Sequence, residues 1–429
     1  MHDLTGDRQA VLRVLERTIH YLEEDRPETA STGVETLALP STRAWQPRRD
    51  EIVERLQAAY EWDRREGQIA ETAAFVPEMR ARVRAPGVTD EPWYVPRNRT
   101  IALFQSAMNE YLERKSEQQP EMRGLAESEQ FDTSDPGWIS VALQRLRALF
   151  RGKAKFPKHR TAKDFRFELD NSARIALVSD WGTGNQNARA VASEIAKRKP
   201  HHIIHLGDIY YSGDEGEARR HFLDVWPKPS GVHRSWALNA NHEMYSGGYG
   251  YFKVTLPAFD QPASYFNLGN DHWRFIGLDS GYVDHNFNAE QADWLAGQME
   301  DGSKKVLLTH HQLYSAFEGQ GDKMERWVDG MLTSRKIEAW FWGHEHKLII
   351  YDRVKGVKGR CIGHGSIPFF IPPEHGENDD VPIKFIHTRG RPDRPDRGVH
   401  GFALLTLEGK NLHVDYIDQD GKKAFEEDL

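Results

Sequence analysis

A single cysteine in 429 residues is the first constraint on this chain. With only Cys361 available, no intrachain disulfide can close, and neither a cysteine-rich zinc site nor an iron–sulfur cluster can be built. Long apolar runs are also missing, and no stretch approaches the length needed to span a bilayer. The opening MHDLTGDRQAVLRVLERTIHYLEED has acids where a signal peptide has a basic start and an apolar centre. Cationic excess is absent too: 57 Lys and Arg stand against 65 Asp and Glu, a net charge of −8, which argues against a surface built throughout for nucleic acid or anionic membrane. These absences lead to the expectation of a cytoplasmic protein without a membrane partner, with nucleic acid as substrate unsupported by charge. What is present is length enough for two or three domains, 38% hydrophobic residues and twenty histidines.

Two textures divide the chain. Residues 1–164 read as a helical amino-terminal region of unassigned role and unknown protein partner: AVLRVLERTIHYL, IVERLQAAYEW, IALFQSAMNEYLERK and WISVALQRLRALF space apolar residues three and four apart among charges. The basic stretch LRALFRGKAKFPKHRTAKDFR suits a solvated linker. From Phe165 to the end, short apolar runs recur (FRFEL, RIALVS, HIIHLG, SWALNA, WRFIGLD, KVLLTH, EAWFWG, RCIGHG, GFALLTL), with ARAVASEIAKRK and AEQADWLAGQM reading as helices between them. The expected fold class of 165–429 is α/β with a substantially parallel core, and in such sheets ligands gather beyond the carboxyl ends of the strands.

The strand ends carry the chemistry. RIALVS runs into Asp180, HIIHLG into Asp208 with Tyr211 three residues on, SWALNA into Asn241-His242-Glu243, KVLLT into His310-His311, and EAWFWG into His344-Glu345-His346. Taken singly, each has a plain structural reading: an Asp after a strand often caps a turn, and paired histidines or a Tyr after Gly-Asp often serve packing. As an ordered set they fit two metals about 3.5–4 Å apart, which require a ligand touching both. Asp208 is the candidate bridge. Imidazoles and an amide suit a borderline divalent ion and carboxylates with a phenolate a harder one, so two unlike metals are expected.

GDIYY, NHE, the histidine after KVLLT and GHEH, in that order, resemble the calcineurin-like metallophosphoesterase superfamily, and within it the purple acid phosphatase branch, which has glycine after its first Asp, as DWG does here. The resemblance covers Phe165 to the carboxyl terminus. It implies a layered β-sandwich with flanking helices and a binuclear centre: Asp180, Tyr211 and His346 on the first metal, Asp208 bridging, and Asn241, His310 and His344 on the second. His242 would bind the phosphate and protonate the leaving oxygen, making it and Asp208 the catalytic residues, while Glu243 orients its neighbours. A phenol of reference pKa about 10 binds as phenolate near neutral pH only where its anion is strongly favoured. Fe(III) paired with divalent Fe, Zn or Mn is therefore expected, with two divalent ions as the alternative if Tyr211 merely packs nearby.

The implied reaction is hydrolysis of a phosphate ester by a metal-bound hydroxide attacking phosphorus in line. Its substrate would be a phosphorylated small molecule or nucleotide; a cyclic-nucleotide or nucleic-acid phosphodiesterase would use the same site, and a non-catalytic metal-stabilised scaffold is the alternative from another class. His311 and His364 are secondary candidates for substrate contact, Trp181 for a wall of the site, and Gly182 for leaving room beside the metals. Three departures from the pattern stand out: Ala240 replaces the glycine before NHE, Gln312 a frequent proline, and QLYSAFEGQG lacks the further histidines of the plant-type enzymes. HIIH and the Asp/Arg-alternating HTRGRPDRPDRGVHG read as packing and as a self-paired surface loop. A nucleotide-binding role for GTGN fails the G-x-G-x-x-G spacing, since the third position is Asn187.

Overall fold

A computed structural model of the chain describes residues 152–429, save 232, 335, 374, 375, 377, 393 and 394, and before them only 12, 15, 16, 18–20, 53–62, 64, 65 and 98–106. The chain divides into two compact units, Met1–Gly152 and Lys153–Leu429. In the first, the described residues are helical apart from Asn98 and Gly152, and the apolar stripe Leu12, Leu15 and Ile19 is buried, as its spacing predicts. The expected helix WISVALQRLRALF lies outside the described residues. No helix among the described residues is long and apolar enough to cross a membrane.

The second unit is a two-sheet sandwich. Its strands are β1 (Arg166–Glu168), β2 (Arg174–Val178), β3 (His202–His205), β4 (Arg234–Ala237), β5 (Phe266–Gly269), β6 (Trp273–Gly277), β7 (Lys304–Leu308), β8 (Ile337–Trp342), β9 (Leu348–Val354), β10 (Val357–Ile362), β11 (Ile383–Ile386), β12 (Gly401–Glu408), β13 (Asn411–Asp418) and β14 (Lys423–Asp428). One sheet has the order β1-β5-β6-β7-β8-β10-β9-β11, the other β14-β13-β12-β2-β3-β4. The central strands β2-β3-β4 and β6-β7-β8-β10 are parallel. Antiparallel strands flank them, β12-β13-β14 in one sheet and β9-β11 in the other. The sheets are thus mixed: their centres, and the edge pair β1-β5, match the parallel expectation.

Side-chain alternation builds two apolar layers. In β2, Ile175 and Leu177 face the core between the sheets while Ala176 and Val178 face the outer layer; in β8, Ala339 and Phe341 face inward while Trp340 and Trp342 face outward. Both faces are covered, which is why these strands read as continuous apolar runs rather than alternating ones. Among the helices on the outer faces are α1 (Gln186–Arg198), α2 (Asn241–Tyr245), α3 (Ala289–Ala296) and α4 (Asp322–Thr333). The stretch expected as a solvated linker packs instead on this unit from Lys153 onward: Ala154 and Phe156 are buried, and Phe156 stacks on Tyr265 with ring centroids 5.6 Å apart. Its apolar residues, few among many charges, are the ones that reach the core.

GTGN also acquires a role. Asn185 accepts the Ala188 N–H at 2.9 Å and caps α1, and Gly184, with φ of +67°, supplies the left-handed turn before it. Gly182 is constrained by the backbone rather than by metal access. It bridges Ile209, and a Cβ there would lie 2.7 Å from the Ile209 Cα.

Candidate metal centre

The parallel strands end at one edge, and the segments leaving them deliver Asp180 after β2, Asp208 after β3, Asn241 at the start of α2, His310 after β7, and His344 and His346 after β8. Four of these, Asp180 (φ +54°), Asp208 (+76°), His344 (+68°) and His346 (+51°), adopt left-handed backbone that residues with a Cβ rarely accept. Such strain costs about 1–3 kcal/mol per residue and persists where surrounding structure imposes it, commonly at functional sites.

Two donor groups result: Asp180, Asp208 and His346 form one and Asp208, His310 and His344 the other, each with ligand atoms within 4.8 Å of one another. Asp208 belongs to both. His310 Nε2 lies 3.4 Å from Asp208 Oδ2 and 3.2 Å from His344 Nδ1, and His346 Nε2 lies 3.4 Å from Asp180 Oδ1. Backbone groups hold the carboxylates: the His344 N–H donates to Asp180 Oδ2 at 3.0 Å and the His242 N–H to Asp208 Oδ1 at 3.3 Å. Glu243 accepts the Asp208 N–H at 3.2 Å, in line with the orienting role expected of it. The Asn241 Nδ2 donates to the Tyr245 hydroxyl at 3.1 Å, while its Oδ1 is buried with no hydrogen-bond partner.

The electrostatics call for a cation. Burial works against the Asp180 carboxylate, yet its bond from His346 and the nearby His310 and His346 hold its pKa at about 2. Burial and the charges of Asp180 and Glu243 push Asp208 well above the ordinary carboxylate range. Burial also pushes Glu243 up to about 8 and His310 down to about 4, so the imidazole is neutral, the form that binds metals. Crowded carboxylates, neutral imidazoles and an orphaned amide oxygen fit a pair of metal ions.

The structure places a second tyrosine, one residue before the expected Tyr211, beside the carboxylates. The Tyr210 hydroxyl lies 3.0 Å from Asp208 Oδ2, 3.2 Å from Asp180 Oδ1 and 3.3 Å from His346 Nε2. The Tyr211 backbone N–H donates to Glu217 Oε1 at 2.7 Å and its carbonyl accepts from His242 Nδ1. Spacing counted from Asp208 marks both tyrosines as near the centre; only the path of the turn brings the Tyr210 hydroxyl to the carboxylates.

His242 is buried, with Nε2 4.0 Å from Asp208 Oδ2. A carbonyl only accepts, so the bond to Tyr211 fixes the proton on Nδ1, and burial pushes this imidazole down to about 3. Ala240 is extended (φ −137°), so no glycine is needed before NHE; Gly207 instead makes the room, since a Cβ there would lie 2.6 Å from that of Ala240. Trp181 is core rather than a wall, donating to the Ala188 carbonyl at 2.9 Å and packing on Phe222 and Trp226. His205 fills the same aromatic cluster, its ring centroid 4.8 Å from that of Phe222. His364 is buried outside the donor groups. His311, a secondary candidate for substrate contact, stands with its ring centroid 4.8 Å from that of His344. In the arginine loop, Arg397 pairs with Asp396 at 3.5 Å, whereas Arg389 pairs with Asp418 and Asp420 of another segment; Asp393 lies outside the described residues. His285, unremarked in the sequence, stands 3.8 Å from His311 between ring centroids. A lone loop histidine offers no pattern that could have found it.

Residues 173–348 match the family described as calcineurin-like phosphoesterase. This chain is similar to tartrate-resistant acid phosphatase type 5 of Sus scrofa, 23% identical over 300 residues, covering 60% of this chain and 86% of that protein. The Homo sapiens protein of the same name is 22% identical over 298 residues, covering 59% and 89%. Among solved structures, purple acid phosphatase PPD1 from yellow lupin (Lupinus luteus) seeds aligns with a TM-score of 0.47 at 16% identity; the alignment covers 60% of this chain and about half, 53%, of that one. The chain therefore carries a calcineurin-like phosphoesterase domain, the domain of a hydrolase family. It is homologous to the tartrate-resistant, or purple, acid phosphatases.

Proposed function

We propose that this hydrolase cleaves phosphate esters at a binuclear metal centre, and the observation that carries the reading is the pair of donor groups sharing Asp208. Asp180, His346 and the Tyr210 hydroxyl would hold the first ion; Asn241 through its unpartnered Oδ1, His310 and His344 would hold the second. We assign Fe(III) to the first site, where a phenol is available, and a divalent Fe, Zn or Mn to the second. Bound there, the cations neutralise phosphate oxygens and lower the pKa of water.

The chain's own residues do the rest. Asp208, fixed by the His242 and Glu243 contacts, sets the spacing between the sites. His242 enters neutral with Nδ1–H committed to the Tyr211 carbonyl, leaving Nε2 to face substrate. The proton given up by the attacking water is the one that Nε2 would hand to the leaving oxygen as the ester bond breaks. The substrate class is a phosphorylated small molecule or nucleotide.

The test is hydrolysis of p-nitrophenyl phosphate and bis-p-nitrophenyl phosphate by iron–zinc and iron–manganese reconstituted protein. Activity lost on chelation and restored by metal is expected, with the ratio of the two rates assigning monoester or diester preference. A fully metallated protein inert toward both compounds and toward cyclic nucleotides would overturn the reading.

A further inference from the structure

Beyond the two donor groups, a third includes His344: His285, His311 and His344 each present one nitrogen within 4.8 Å of the others. His311 is fully buried, its Nδ1 is 2.9 Å from Ser280 Oγ, and its Nε2 has no hydrogen-bond partner. His285 Nδ1 is bonded to Asp284 Oδ1 at 2.9 Å, which fixes a proton on Nδ1 and leaves the Nε2 lone pair open. A carboxylate behind an imidazole in this way is the usual support of a metal-binding histidine. The turn is anchored: Val283 bridges Asn286, and Asn286 Oδ1 accepts the Trp327 Nε1–H at 3.0 Å. His285 itself sits at φ +56°, so the chain holds this side chain in place in an unfavourable backbone conformation.

His344 faces both ways. Its Nδ1 points to His310 at 3.2 Å, and its Nε2 lies 3.8 Å from Glu318 Oε2. We infer that His285, His311 and His344 form a third metal site, for a zinc-type divalent ion, with the Glu318 carboxylate in reach as a fourth donor. Three imidazoles and a carboxylate suit zinc, whose bonds of about 2.0–2.1 Å to nitrogen require the imidazoles to draw in to roughly 3.3 Å between nitrogens. Ions on both sides of His344 would require its remaining N–H proton to leave to solvent, so that each ring nitrogen could serve one ion. The site goes beyond the binuclear reading and shares only His344 with it.

The experiment counts zinc on the full chain, stripped with chelator and titrated with Zn²⁺ against a chromophoric competitor. Wild type takes up three equivalents, and His285→Ala two, with unchanged thermal unfolding of the stripped protein and p-nitrophenyl phosphate hydrolysis within about threefold. Asp284→Asn keeps the ligand and removes its support, so its third equivalent binds about 10–100-fold more weakly. Two equivalents in both wild type and His285→Ala, or three in both, overturns the inference while leaving the binuclear reading standing. Fewer than two in wild type counts against the binuclear reading. In that event a zinc-edge anomalous map decides the third site independently, since a peak bonded to His285 and His311 supports it and none overturns it.

Discussion

Replacing Tyr210 with phenylalanine asks which of two adjacent phenols would meet the proposed Fe(III). The substitution deletes a hydroxyl 3.0 Å from Asp208 Oδ2 and 3.2 Å from Asp180 Oδ1, while the ring, 4.6 Å from that of His242 between centroids, keeps its packing. Ionising a phenol of reference pKa about 10 at pH near 7 costs about 4 kcal/mol. Burial, then Asp208 and Asp180, push Tyr210 well above even that reference value, so without a cation it stays protonated. A phenolate here therefore reports a strongly charged ion, and its charge-transfer band is the assay. Iron-loaded Tyr210→Phe should lose the visible band and hold iron at least about tenfold more weakly, in the range lost when metal-site partners are removed. Metal-free Tyr210→Phe should lose about 1.5–3 kcal/mol, the usual worth of a hydrogen bond to a charged group. Tyr211→Phe should keep the band, because the contacts that fix Tyr211 to Glu217 and His242 are made by its backbone. A band that survives Tyr210→Phe and disappears in Tyr211→Phe would refute the assignment.

Further outcomes follow from the same geometry. Asn241→Ala should cost one equivalent of metal and the activity together, read by elemental analysis beside the phosphatase assay; full metal occupancy would remove Asn241 from the ligand set. His242→Ala should keep its metals yet lower kcat by about 10²–10⁴-fold, the usual span for a general acid, and an unchanged kcat would remove its role. Glu217 accepts N–H groups from Tyr211, Ser212 and Asp214, so Glu217→Gln should destabilise the stripped protein by about 1–3 kcal/mol in a denaturant titration through an unsatisfied buried donor, whereas an unshifted midpoint would deny Glu217 that role. Burial, opposed by Asp180, puts the His205 imidazole at about 3 against 6.5 unfolded, so the unfolded chain binds the extra proton and stability falls as pH drops from 6.5 toward 3. Over the first two pH units the loss approaches about 2.5 kcal/mol, and His205→Leu should lower the acid-unfolding midpoint; an unmoved midpoint would contradict this.

Much of the phosphoesterase unit was legible because its central strands are covered on both faces and so appear as unbroken apolar runs ending in polar residues. RIALV, KVLL and EAWFWG all became strands, and the residues after them converge. β5, β9, β11, β13 and β14 went unread: all lie at or next to a sheet edge, and β11, β13 and β14 carry exposed or half-buried positions that break any apolar run. Phe156 and Trp181 were misread for the complementary reason: one apolar residue in a basic stretch and one tryptophan beside an acid say nothing of what packs on them.

By itself the sequence determined the chemistry available: one cysteine, carboxylates, an amide and imidazoles at the ends of buried strands, in an order that restricts them to one class of hydrolase. Only the tertiary structure decided which atoms meet. The path of the turn puts the Tyr210 hydroxyl on Asp208, and a histidine from a distant loop can complete a cluster that no spacing announces. His285 reaches His311 across 26 positions because an anchored turn carries it there, a fact of chain path rather than of local pattern.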